Sequence, residues 1–158
     1  MTSTTRRGKG MIYVVDPSPL NWLYVLFNTM EEAVRASRTG KIIPSLASRL
    51  KWINEKTLEL QLRDGVTFQN GEEFTANHVK QNFNQEEPWI APHPPGTWLN
   101  LVKGRKVEFV DLYKVHIHFP SIDGLALGKL RSYHFANHLF WQKLGFGYEK
   151  FGTAEGHW

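Results

Sequence analysis

The residue types here that are capable of chemistry are seven histidines and several adjacent carboxylates, in a chain of 158 residues. His116 and His118 alternate along "KVHIHF", which puts both on one face of a strand. His134 and His138 stand four apart and share a face if that segment is helical. Four imidazoles are enough for a nitrogen-ligated metal site. The sequence has no cysteine to support one, and the two pairs fall in different elements. Alternation also sets both strand histidines opposite Val115, Ile117 and Phe119, so the reading taken is solvent-facing histidines, no metal and no cofactor. Glu72-Glu73 and Glu86-Glu87 are adjacent acidic pairs of the kind used in acid/base work. Neighbours in sequence point apart on helix or strand, so these read as solvated faces. Ser45 and Ser48 have no His–Asp partner at a telling spacing. The expectation is a protein without a catalytic residue.

The candidates for recognition lie elsewhere. "PWIAPHPPGTW" holds Trp89 and Trp98 on a proline-stiffened loop. Such rings stack on a ligand or partner at low entropic cost, or fold back over a sheet as a satellite core. Net charge is +4, too small and too scattered to argue for nucleic acid. Arg6, Arg7 and Lys9 sit in a Ser/Thr-rich leader, and residues 1–10 read as a flexible tail. Without cysteine, disulfides and thiolate chemistry are excluded. No run approaches the ~18 apolar residues of a spanning helix. The leader has no apolar h-region, so the chain as written carries no export signal.

The elements that position these residues follow from periodicity. Residues 11–15 read as a strand, ended by prolines in 16–19. Leu23, Leu26, Phe27, Met30, Ala33 and Val34 make a helical stripe over 21–38, stopped at Thr39-Gly40. "IIPSLASRL" reads as an extended lead-in and a short helical turn. Leu58, Leu60 and Leu62 alternate after a turn at Asn54, Glu55 and Lys56, which predicts a hairpin with one buried face. Val66 and Phe68 resume the strand after Asp64-Gly65, and Asn70-Gly71 turns again. Thr75 caps a helix with Val79 and Phe83 on one face. Residues 105–119 form a second hairpin, with Val107, Phe109, Val115, Ile117 and Phe119 inward. Two short helices follow, one with Leu125, Leu127 and Leu130, the next capped by Asn137. The predicted class is α+β, antiparallel β-hairpins with short helices packed on them, as a single domain over 11–158.

The stretch "GKIIPSLASRLKWINEKTLELQLRDGVTFQNGEEFTANHVKQNF" resembles the signature region of the family 5 extracellular solute-binding proteins. These are the peptide-, oligopeptide- and nickel-binding components of ABC importers. The match runs in order through Pro44, Leu46, Ala47, Trp52, Thr57, Leu62, Arg63, Gly65, Val66, Phe68, Gly71, Phe74, Thr75, Ala76 and Val79. Asp16-Pro17, Glu31, "VEFVDLYKVHIHFP" and "FGTAEG" extend the likeness in both directions. It implies the peripheral subdomain of the first lobe of a periplasmic binding protein-like fold, in which the signature is scaffold. It also implies a cleft lined by Pro19, Leu20, Asn21 and Trp22, set against a local reading in which Asn21 caps a helix and Trp22 is core. By resemblance, the function would be capture of a small peptide-like ligand in the periplasm or at the cell surface. The partners would be an ABC permease and a second lobe, because family members are several times longer. The alternative is a stand-alone interaction module that binds a protein or forms a homo-oligomer.

Overall fold

A computed structural model of the chain describes residues 30–87 and 101–143. The alternating leucines build its centre. β4 (Ala47–Asn54) and β5 (Thr57–Leu62) form the expected hairpin, and Lys56 N–H donates to Asn54 Oδ1 at 2.9 Å to close its turn. β6 (Lys106–Asp111) and β7 (Lys114–His118) form the second hairpin, and β7 pairs with β5. The result is a four-stranded antiparallel sheet in the order β4-β5-β7-β6. Leu58 faces Ile117 and Leu60 faces Val115 across the ladder, and all four are fully buried. Helix α1 (Ala76–Glu86) covers this face with Ala76, Val79 and Phe83. Thr75 is its N-cap, in a capping box with His78 at the third helical position. Gly65 and Gly71 carry φ of 65° and 86°, left-handed values that the two turns require.

Two smaller pairings flank the sheet. β1 (Glu31–Glu32) pairs with β8 (His134–Phe135), and β2 (Val34–Ala36) pairs with β3 (Ile42–Pro44). α2 (Ala126–Leu130) precedes β8 and α3 (His138–Lys143) follows it. No described helix is long and apolar enough to cross a membrane.

Several expectations are corrected here. The helical stripe does not hold over its described part, because residues 31–36 are extended. Met30, Ala33 and Val34 do face the interior, yet the backbone of 31–32 is paired with residues a hundred positions later. Thr39-Gly40, expected to stop a helix, lies in a hairpin turn, where Gly40 N–H donates to Ser37 O at 2.9 Å. The short helical turn after "IIPSL" is instead the start of β4. Phe109 is 41% exposed although its strand partner Val115 is buried. It lies on an edge strand where the register shifts before Asp111. Leu125 is 70% exposed because it precedes α2 rather than packing within it. The strand at 11–15, the start of the helical stripe, the tryptophan loop and the tail after Lys143 lie outside the described residues.

The largest departure from a solvated acidic face is Glu86, which is buried. Burial pushes its carboxyl up to about 8, and the nearby Arg105 guanidinium opposes this. Arg105 is itself buried, 2.9 Å from Glu87 Oε2 and within 5.4 Å of the Phe83 and Tyr133 ring centres. Native Glu86 therefore keeps a proton that an unfolded glutamate loses near 4.5. The native state binds more protons between those limits, so stability falls as pH rises through them. His134 works in the opposite sense. Burial lowers it from 6.5 to about 4, so its contribution rises with pH over that range. The two slopes oppose one another below 6.5, and between 6.5 and 8 the slope from Glu86 is no longer offset by His134. Urea denaturation should show the wild-type chain losing about 2 kcal/mol across that interval, with the loss absent in Glu86→Gln. Equal slopes for the two proteins would refute the assignment.

Candidate functional site

The stripe that places Val79 and Phe83 in the core also turns Asn82 inward, since it lies one residue from Phe83 and three from Val79. Asn82 is 1% exposed and uses its full hydrogen-bonding capacity. Its Nδ2 donates to His78 O and to Ala136 O, both at 2.8 Å. Its Oδ1 accepts Ala136 N–H at 2.9 Å and Trp141 Nε1–H at 3.1 Å. One side chain thus fastens the end of β8 and the start of α3 to the middle of α1. One turn earlier, Glu72 Oε1 accepts from His78 Nε2 at 3.0 Å and His138 Nδ1 at 2.6 Å. Burial pushes the Glu72 carboxyl up, but hydrogen bonds from the two histidines and Asn70 outweigh it and hold it below the usual range. Asn137 Oδ1 accepts Phe140 N–H at 2.9 Å, which is the cap expected for α3.

These clamps form one wall of an open cavity of about 620 Å³. Phe135, Ala136, Asn137 and Phe140 line it from this side. The opposite wall is the loop between β5 and α1, through Val66, Phe68 and Phe74. That loop is held by backbone bonds from Phe74 N–H to Val66 O and from Phe68 N–H to Glu72 O, both 2.8 Å. Leu46 and Met30 complete the apolar lining, while Glu31, Thr67 and Gln69 add polar atoms. The ring centres of Phe74 lie 5.8 Å from Phe68 and 5.5 Å from Phe135, so the aromatic lining is packed before anything enters. An open recess with aromatic and polar groups both in its lining suits non-covalent capture.

The four histidines do not converge. His116 and His118 lie side by side on β7, as the alternation required. His134 is buried in β8, its Nε2 4.0 Å from Glu32 Oε2, and His138 opens α3 beside Glu72. The expected i, i+4 helical relation fails because a strand end and a loop separate the two. Pro19, Leu20, Asn21, Trp22, Trp89 and Trp98 lie outside the described residues. Asn82 was not anticipated, and Glu72, read as half of a solvated acidic pair, is instead half-buried between His78 and His138. The legible signal for Asn82 was a polar residue on the apolar face of a capped helix.

Comparison with known proteins follows the same outline. The family model described as "Bacterial extracellular solute-binding proteins, family 5 Middle" matches residues 41–153. The chain belongs to this family. Among solved structures it is similar to an ABC transporter substrate-binding protein from Sinorhizobium meliloti, with 31% identity and a TM-score of 0.60 over 71% of this chain and 23% of that one. It is similar in fold to the putative peptide-binding protein AppA of Clostridium difficile, with 21% identity and a TM-score of 0.61 over 73% of this chain and 24% of that one. It is also similar in fold to the oligopeptide-binding protein AppA of Bacillus subtilis, solved with a nonapeptide. There the identity is 16% and the TM-score 0.64, over 79% of this chain and 25% of that one. The chain therefore spans about a quarter of the length of these relatives. No curated protein matches it.

Because Asn82 satisfies four groups at once, Asn82→Ala should cost about 3–5 kcal/mol by removing its hydrogen bonds to Ala136 and Trp141. Hydrogen exchange should quicken over 136–141 well before it does in β5. Unchanged exchange there would show that the wall is held by something else.

Proposed function

We propose that this chain is part of the first lobe of a peptide-type substrate-binding protein of an ABC importer, and that it contributes one wall to non-covalent capture of a small peptide-like ligand. The observation that carries this reading is the ordered match of its sheet-and-helix subdomain to the family over 41–153. The aromatic-lined cavity supports it, because peptide side chains are bound largely by apolar contact with a few polar groups fixing orientation. The working protein sits in the periplasm or at the cell surface, with a permease and a second lobe as partners. Hinged closure of two lobes over the ligand is how such an arrangement retains its cargo.

Thermal-shift measurements on the chain with a panel of dipeptides to nonapeptides test this directly. A peptide at a hundredfold excess over its Kd should add about 2.7 kcal/mol, raising Tm by roughly 5–10 °C. Phe140→Ala should reduce that shift. A panel with no stabilising member would count against capture by this chain.

A second reading, self-association, is favoured by the edge strand β6, where Phe109 and Val110 are exposed, with Leu112 exposed in the turn that follows. Unpaired edges with apolar side chains invite pairing with another copy. Light scattering should then report a dimer that Val110→Lys returns to monomer. A monomer at all concentrations would exclude it.

A further inference from the structure

Away from the cavity, the outer face of the four-stranded sheet carries two histidines whose four ring nitrogens each meet a defined partner. His116 stands between Glu59 on β5 and Glu108 on β6, its direct cross-strand neighbours. Its Nε2 is 3.3 Å from Glu59 Oε2 and its Nδ1 3.4 Å from Glu108 Oε2. His118, two residues on and so on the same face, pairs with Thr57. Its Nδ1 is 3.2 Å from Thr57 Oγ1 and its Nε2 2.7 Å from Glu108 Oε2.

We propose that His116 Nδ1, His118 Nε2 and a Glu108 carboxylate oxygen bind a divalent first-row transition-metal ion, zinc being the representative case, on the solvent-facing side of this sheet. The three donor atoms lie within 4.8 Å of one another. Tetrahedral zinc with bonds of about 2.0–2.1 Å needs donors about 3.3 Å apart, so small side-chain adjustments suffice. Two imidazoles and one carboxylate make a donor set suited to zinc, nickel or copper, and water fills the open positions.

The outer partners decide which nitrogens are free to ligate. Both carboxylates beside His116 can only accept, so its ring proton can sit on either nitrogen, and an ion at Nδ1 would leave it on Nε2, donated to Glu59. His118 Nε2 donates to Glu108 in the metal-free chain; an ion at Nε2 would move the ring proton to Nδ1, where the Thr57 hydroxyl can accept it. Both rings thus have the second partner that orients a metal-bound histidine. Arg49 lies 3.4 Å from Glu59, and Lys51 and Lys106 stand opposite Glu59 and His118 in the ladder. These cations temper affinity without occupying a donor position.

The other His/Glu group, Glu72, His78 and His138, has similar spacing but the wrong outer partner. Thr75 N–H donates to His78 Nδ1 at 3.1 Å. A backbone N–H cannot accept, so the ring proton must sit on Nε2, the nitrogen that faces Glu72. A neutral imidazole has one lone pair, and here the cap uses it.

The test is titration of the chelator-treated chain with zinc chloride, read by calorimetry, by Tm and by NMR of the imidazole nitrogens. One equivalent should bind, raise Tm and shift the His116 and His118 ring signals. His116→Gln and His118→Gln should each weaken binding more than about tenfold, and Glu59→Gln should weaken it about tenfold while leaving the stoichiometry intact. Each variant is compared with its own metal-free Tm. If a variant fails to fold, the ring signals of the wild-type chain decide. The proposal is overturned if zinc does not saturate, if it shifts His138 in place of His116 and His118, or if it binds the folded double variant as tightly as wild type.

Discussion

The register in which β5 meets β7 sets both faces of the central sheet. Because successive side chains alternate, pairing Leu58 with Ile117 and Leu60 with Val115 necessarily pairs Glu59 with His116 and Thr57 with His118. A slip of one residue would put the leucines in water and the histidines and glutamate under α1. The cost of that exchange, several buried aliphatic side chains plus an uncompensated buried carboxylate, is what holds the register. The core and the row of titratable groups outside it are consequences of one pairing choice.

Around that sheet the chain is held by buried polar groups. Asn82 spends two donors and two acceptors on α1, β8 and α3. Arg105 lies close to Phe83, Tyr133 and Glu87. Tyr133 O–H accepts Leu101 N–H at 3.0 Å, and burial raises its phenol to about 12. Groups of this kind add specificity more than net stability, since their gains are offset by desolvation. They explain how segments as short as β8 and α3 keep a fixed place. Neither has the length to form alone.

Local fit of the same kind shapes the signature region. Gly65, Gly71 and Thr75 shape a loop and cap a helix, and Phe68 and Phe74 line the recess that results. The two histidine–carboxylate groups differ in one respect, the character of the atom behind the ring. Behind His78 stands a backbone donor, which makes the ring a structural part of the cap. Behind His116 stands a carboxylate acceptor, which can hold the ring proton if the other nitrogen takes an ion.

Much of this was legible in the residues themselves. Alternation at Leu58, Leu60 and Leu62, glycine at turns and threonine before an apolar stripe each state a local preference that tertiary packing did not override. They determined the two hairpins, α1 and the side of β7 on which the histidines lie. Residues 31–36 went the other way. Their apolar spacing suits helix or strand, and pairing with β8 and β3 decided the matter. Which carboxylate meets which histidine was likewise beyond local reading, since Glu59 and His116 are 57 positions apart. Periodicity assigns each residue to a face, but only the closed sheet and the helix laid on it choose neighbours across that face.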